Sequence, residues 1–203
     1  IYFRRETPTS QGAHFLVDTF DPFEADAACE DIAPLFFDAD RDGDLDLYVV
    51  SGGVECEPGD PVLRDRLYLN DGQGNFSKAR GHLPELRDSG GPVAAADFNR
   101  DGSIDLFVGG RVIPGRYPVS PRSRILQNDG SGKFSDVTGE VAPQLMESGM
   151  ATGAVWSEAD NDGWLDLWAV GEKIRVWRNL GLSGFQEQTA QLGIESFSDS
   201  AVS

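Results

Sequence analysis

One nine-residue stretch occurs three times in this chain of 203 residues and restricts what the chain can fold into. It reads Asp38-Ala-Asp40-Arg-Asp42-Gly43-Asp44-Leu-Asp46, then Asp97-Phe-Asn99-Arg-Asp101-Gly102-Ser103-Ile-Asp105, then Glu158-Ala-Asp160-Asn-Asp162-Gly163-Trp164-Leu-Asp166. Oxygen-bearing side chains stand at positions 1, 3, 5 and 9, with Gly at position 6. Carboxylates on alternate residues converge when such a loop curls, and the Gly permits the sharp turn. The backbone carbonyl of position 7 (Asp44, Ser103, Trp164) can complete the shell of a hard cation, so the pattern predicts one Ca²⁺ per loop, about three in all. A single acidic turn could be solvated and idle. Three copies starting 59 and then 61 residues apart keep a period that chance turns do not.

These loops are not EF-hands, which need a bidentate Glu at position 12 and flanking helices. Here the ninth residue is Asp, and the flanks are short apolar runs. Ala33–Phe37, Pro92–Ala96 and Gly153–Ser157 precede the loops; Leu45–Val50, Ile104–Val108 and Leu165–Val170 follow them. Runs of this length, bounded by turn residues, read as strands. Each loop therefore joins two adjacent antiparallel strands.

A second element follows each loop. It is Leu67-Tyr-Leu-Asn70-Asp-Gly72-Gln-Gly74-Asn-Phe76, then Ile125-Leu-Gln-Asn128-Asp-Gly130-Ser-Gly132-Lys-Phe134. The third copy, Val176-Trp-Arg-Asn179-Leu-Gly181-Leu-Ser-Gly184-Phe185, departs slightly in its Gly spacing. Asn-Asp-Gly between apolar stretches signals a hairpin, because Asn and Gly tolerate positive φ. Each repeat thus holds four strands in two hairpins, the first closed by the cation loop and the second by the Asn turn. Loop start and turn Asn are 32, 31 and 21 residues apart. The variable middle (Glu55–Arg66, Gly110–Ser123) is an excursion between strands two and three, and the third repeat has almost none.

A four-stranded antiparallel unit recurring every 50 to 60 residues is the signature of a β-propeller blade. With these residues the chain resembles the FG-GAP/VCBS repeats of the integrin α-subunit propeller and of bacterial secreted proteins, including those related to cartilage acidic protein. The resemblance covers roughly residues 33 to 190 and departs at Glu158, where that family usually has Asp. It implies an all-β propeller of calcium-binding blades in a secreted or surface protein.

The expected organisation is a preceding blade's end plus an irregular segment over 1–32, and blades over 33–80, 81–138 and 139–190. A first strand of a further blade is expected over 191–203. Phe3–Thr7 matches the fourth strands Phe134–Thr138 and Phe185–Thr189, and Ser196–Ser203 matches a strand before a next loop expected at 206 to 209. Such propellers close with about seven blades, so the expectation is part of a longer protein, with completion by other chains as the alternative. Residues 8 to 32 fit no repeat.

Gly 24 and Pro 11, without long amphipathic periodicity, agree with a turn-rich β protein. A net charge of −17 argues against nucleic acid or an anionic membrane as partner. Twelve of the 34 acidic residues lie in the loops, and three Ca²⁺ would bring the charge to −11. No apolar run is long enough for a membrane span.

For catalysis the sequence offers little. His14 and His82 sit in no recognisable constellation, and the carboxylate pairs are accounted for as ion ligands. Trp156, Trp164, Trp168 and Trp177 cluster in the third repeat, which reads as packing, with Trp164 as an alternative sugar platform. Arg111, Arg116, Arg122 and Arg124 surround the second excursion, as salt bridges or as a site for an acidic partner. Asn75-Phe-Ser77 fits a glycosylation sequon.

These features lead to a calcium-stabilised extracellular, cell-surface or periplasmic scaffold that binds protein or glycan through its excursions. The alternative is part of a polysaccharide-processing enzyme. Loop three, starting with Glu158, is expected to hold its ion least well. A disulfide between Cys29 and Cys56 is expected from register: their midpoint of 42.5 nearly coincides with the centre of loop one. Such a bridge would contribute roughly 3 kcal/mol and fit an oxidising compartment.

Overall fold

A computed structural model describes residues 4–9, 12–17, 22–119 and 121–194. Its strands form four antiparallel sheets, and among the described residues they close no propeller. Strands β1 (Arg4–Thr9) and β2 (Gly12–Val17) pair with each other alone, Arg4 opposite Val17. Residues 3–7, matched by sequence to a preceding blade's last strand, thus belong from residue 4 on to this small hairpin. Most of the strand expected over 191–203 lies outside the described residues.

The other three sheets have four strands each, ordered as in the chain. The first contains β3 (Glu30–Phe37), β4 (Asp46–Gly52), β5 (Arg66–Asn70) and β6 (Phe76–Lys78). The second contains β7 (Ser89–Ala96), β8 (Asp105–Val112), β9 (Arg124–Asn128) and β10 (Phe134–Asp136). The third contains β11 (Ala151–Ser157), β12 (Asp166–Gly171), β13 (Ile174–Asn179) and β14 (Phe185–Glu187). The acidic loops join each sheet's first pair of strands, and the Asn turns join the last pair. Excursions 53–65 and 113–123 separate the middle strands of the first two sheets, where the third has only residues 172–173.

Strand alternation explains the stacking. Every residue of β4 is buried, because both faces of the first sheet are covered. Tyr48, Val50 and Leu67 pack with Phe37 against Leu106, Val108, Leu126 and Phe134 of the second sheet. Phe107 and Ile125, on the second sheet's other face, pack against Leu167, Ala169, Trp177 and Phe185 of the third. The sheets therefore stack face to face in series, with β7 against β3, β4 and β11. That approach leaves no room at Gly90 and Gly91, where a Cβ would come within 2.3 Å of Val50 Cγ1 and 2.9 Å of the Ala151 carbonyl.

The two ends of the series differ. On the first sheet, Leu47, Val49 and Tyr68 are covered by Phe23 and Phe76. The Phe23 ring meets Tyr68 edge-on at 4.6 Å, and Tyr68 Oη donates to Asp26 at 2.6 Å. On the third sheet's outer face, Val155, Val170 and Ile174 stay 56%, 44% and 46% exposed.

The expected disulfide is corrected: Cys29 and Cys56 are both free thiols. Register is the reason. Phe37 pairs with Asp46, so the ladder is centred at 41.5, and a bulge between Asp31 and Ala33 shifts it further, to Glu30 opposite Gly52. Continued by one residue, that ladder faces Cys29 with Gly53, and Cys56 lies beyond the strand in the excursion. Burial raises the pKa of each thiol, holding it protonated.

Within the first excursion, Asp65 folds back onto β4. Its carboxylate accepts from Tyr48 Oη at 2.7 Å and from Ser51 N–H at 2.8 Å. Burial nevertheless pushes its pKa up to about 6; Asp88 adds to the rise, and the two donors and Arg66 oppose it. The folded state then holds this proton more tightly than the unfolded chain. Its contribution to stability is greatest at low pH and is lost as pH rises from the ordinary carboxylate range through about 6. Urea midpoints measured in EDTA at pH 4.5 and 7.5 should show a smaller decrease for Asp65→Asn than for the unsubstituted protein. An equal decrease would remove Asp65 from this role.

Candidate metal centres

The three loops share one backbone conformation. Position 4 is left-handed in each, with φ of 65° at Arg41, 62° at Arg100 and 66° at Asn161. Non-glycine residues seldom adopt this region, so its recurrence at one place marks a common geometry. Gly43, Gly102 and Gly163 follow with φ of 91°, 82° and 83°. The curl turns backbone N–H groups inward. Gly43 N donates to Asp38 at 3.1 Å and Asp44 N to Asp42 at 2.9 Å; Gly102 N donates to Asp97 at 2.9 Å and Ser103 N to Asp101 at 2.7 Å.

The alternate carboxylates converge as the spacing requires. Oxygens of Asp38, Asp40 and Asp42 lie within 4.8 Å of one another, as do those of Glu158, Asp160 and Asp162. Asn99 takes the middle place in loop two, and its Nδ2 donates to Asp101 at 2.9 Å. Loop one carries the clearest sign of fit to a cation. Asp38 Oδ1 and Asp40 Oδ1 are buried and receive no hydrogen bond, an arrangement that is costly without a positive partner. Burial and the neighbouring Asp42 and Asp38 charges raise the pKa of Asp40. One hard ion would satisfy both oxygens and relieve the repulsion.

Position 9 has a further job. Asp46 is fully buried, with Oδ2 accepting from Ala39 N and Oδ1 from Asn70 N, each at 2.8 Å. Asp166 repeats this with Ala159 N at 3.2 Å and Asn179 N at 2.9 Å. Asp105 accepts from Asn128 N at 2.8 Å. Burial raises the Asp105 pKa to about 7 against that hydrogen bond, with Asp101 and Asp97 adding to the rise. The ninth carboxylate thus ties the cation loop to the Asn turn of its own sheet.

The Asn turn in its turn ties one sheet to the preceding one, a link the sequence reading missed. Asn128 Nδ2 donates to the Ala39 carbonyl of loop one at 2.7 Å and to its own Ile104 carbonyl at 3.2 Å. Asn179 Nδ2 likewise reaches the Phe98 carbonyl of loop two at 2.9 Å and Leu165 at 3.2 Å. Asn70 Nδ2 donates within its own sheet, to the Leu45 carbonyl at 3.1 Å. The Gly two residues after each Asn has a positive φ, 73° at Gly72, 85° at Gly130 and 60° at Gly181. A Cβ there would approach position 7, at 2.3 Å from Asp44 Oδ2 for Gly72 and 2.9 Å from the Trp164 ring for Gly181. The available signal was that loop and Asn turn always occur together.

Arginines complete the setting. Arg41 Nη2 donates to the Asp101 carbonyl at 2.9 Å and to Ser103 Oγ at 2.8 Å, crossing from loop one to loop two. The Arg100 guanidinium lies 4.1 Å over the Trp164 ring, crossing from loop two to loop three and covering one face of the proposed sugar platform. Arg178 pairs with Asp160 and Asp162. Trp156 stacks on Phe98 at 6.1 Å between the second and third sheets, and Trp177 is buried in the same cluster. Of the four arginines around the second excursion, Arg124 forms ion pairs with Asp88 and Asp136. His82 Nδ1 lies 3.1 Å from the Gly132 carbonyl, and the side chain of His14 lies outside the described residues. Asn75, of the sequon, donates to Asp71 at 2.7 Å within its turn. Among the described residues, no helix is long and apolar enough to cross a membrane.

The family model of the FG-GAP-like repeat matches residues 38–108, from the start of loop one through loop two into β8. The match supports the FG-GAP repeat family for that stretch. A search of curated proteins finds no match.

The two kinds of Asn should differ in weight. Removing a buried partner costs on the order of 1–3 kcal/mol for each group left unsatisfied. Asn128→Ala is therefore expected to destabilise by about 3 kcal/mol, and the less buried Asn70→Ala by about 1 kcal/mol. Urea denaturation of the two variants checks the order.

Proposed function

We propose that this protein is a calcium-stabilised β-propeller scaffold of the FG-GAP type, with each four-stranded sheet a blade. Its ions are structural, and its work is binding a protein or glycan partner outside the cytoplasm. The observation that carries the reading is the pair of buried, donor-free oxygens on Asp38 and Asp40, set among converging carboxylates. Asp38, Asp40, Asp42 and Asp46 with the Asp44 carbonyl would hold one ion, Asp97, Asn99, Asp101 and Asp105 with the Ser103 carbonyl a second, and Glu158, Asp160, Asp162 and Asp166 with the Trp164 carbonyl a third. When bound, each ion supplies positive charge to groups that otherwise repel. Six or more oxygen ligands suit Ca²⁺ in a flexible loop better than Mg²⁺, which demands a tight octahedron.

The free thiols remove one support for an extracellular address, which then rests on the match between such loops and millimolar calcium. Partner specificity falls to excursions 53–65 and 113–123, since loops on a rigid scaffold are where recognition concentrates. The acidic charge of −17 disfavours nucleic acid.

An ion bound only by the folded form adds its binding free energy to stability. EDTA should lower the melting temperature by several degrees or more, and Ca²⁺ but not Mg²⁺ should restore it. An unchanged melting curve would overturn the structural-ion reading.

A further inference from the structure

The three loops are not equivalent in charge. In loop one, the buried oxygens of Asp38 and Asp40 receive no donor. In loop two, Asp105 Oδ2 is likewise buried without a donor, Arg41 reaches the Asp101 carbonyl and Ser103, and Asn99 reduces the negative charge. In loop three, the guanidinium of Arg178 pairs with Asp160 through Nη2 and lies 3.3 Å from Asp162 Oδ2. Those are the third and fifth positions, the carboxylates an ion would need. A second guanidinium, Arg100, stands at the same rim over Trp164.

Arg178 owes this position to register. It is the residue just before the turn Asn of β13, and the ninth-position carboxylate holds that Asn against the loop. The corresponding residues in the other repeats are Leu69 and Gln127, neither of them cationic. Only the third repeat among the described residues brings its own positive charge into the loop from this place.

Resting on the calcium reading above, we infer that Arg178 is a built-in competitor for the cation at loop three. Without calcium, its guanidinium neutralises Asp160 and Asp162. Calcium must displace it, so the third site fills only after the other two. The weakness expected there from Glu158 thus has a second and separate source, since the guanidinium opposes the ion whatever residue opens the loop.

The chain carries a local reporter for the test. Trp164 stands within loop three itself, so the part of Trp-excited Tb³⁺ luminescence that Trp164→Phe removes reads loop three. Calorimetry with Ca²⁺ counts all sites. Arg178→Gln and Arg178→Leu borrow residues that the second and first repeats already accommodate, while Arg178→Lys keeps the charge. The expected result is a Tb³⁺ midpoint in the unsubstituted protein that follows filling of the other sites. It should move at least tenfold lower in the Gln and Leu variants and stay near its original value in the Lys variant. Midpoints for Gln and Leu within twofold of the original, with calcium heats intact, would overturn the role of Arg178 and leave the calcium reading standing. Absence of calcium heat in every protein would overturn that reading and this inference together.

Discussion

The arrangement depends on one buried carboxylate per repeat. Asp46 and Asp166 each take a backbone N–H from the start of their loop on one oxygen and the N–H of the turn Asn on the other; Asp105 takes the turn Asn in the same way. Two hairpins far apart along the chain are thereby fixed side by side. The turn Asn, now held, extends its amide to the loop of the preceding sheet in two cases. Cation loop, Asn turn and inter-sheet contact form one connected polar unit, which explains why the two sequence motifs travel together. A buried network of this kind is stabilising when every member is satisfied and costly when one is removed.

Much of this was legible in the residues. Alternating carboxylates with Gly at position 6 identified the loops, and the short apolar runs on either side identified the strands. The Asn-Asp-Gly turns identified the second hairpins, and the structure carries all of these as three four-stranded sheets. Other features were not legible because they depend on register or on contacts between repeats. A shift of half a residue and one bulge separate the expected facing of Cys29 and Cys56 from the observed one. The ninth Asp reads as an ion ligand in the sequence, and only the structure adds the backbone donors that tie it to the Asn turn. Arg178 is an ordinary strand residue until pairing sets it beside Asp160.

Charge is handled differently from one repeat to the next, although the backbone of the loops is the same. The first loop is strongly acidic with its inner oxygens bare, the second is diluted by Asn99, and the third is countered from within. Conserving the left-handed residue at position 4 lets the side chains of Arg41 and Arg100 lean toward the next loop, so neighbouring loops sense each other's charge. Geometry is thus repeated while electrostatics are individual.

The unequal ends of the series give the molecule a direction. Adding another sheet beside Val155, Val170 and Ile174 would bury apolar surface that already faces water. Adding one beside Leu47, Val49 and Tyr68 would first require peeling away Phe23 and breaking the hydrogen bond from Tyr68 to Asp26. A further contact would therefore gain apolar burial on the third sheet's outer face, whereas on the first sheet it would have to compete with Phe23.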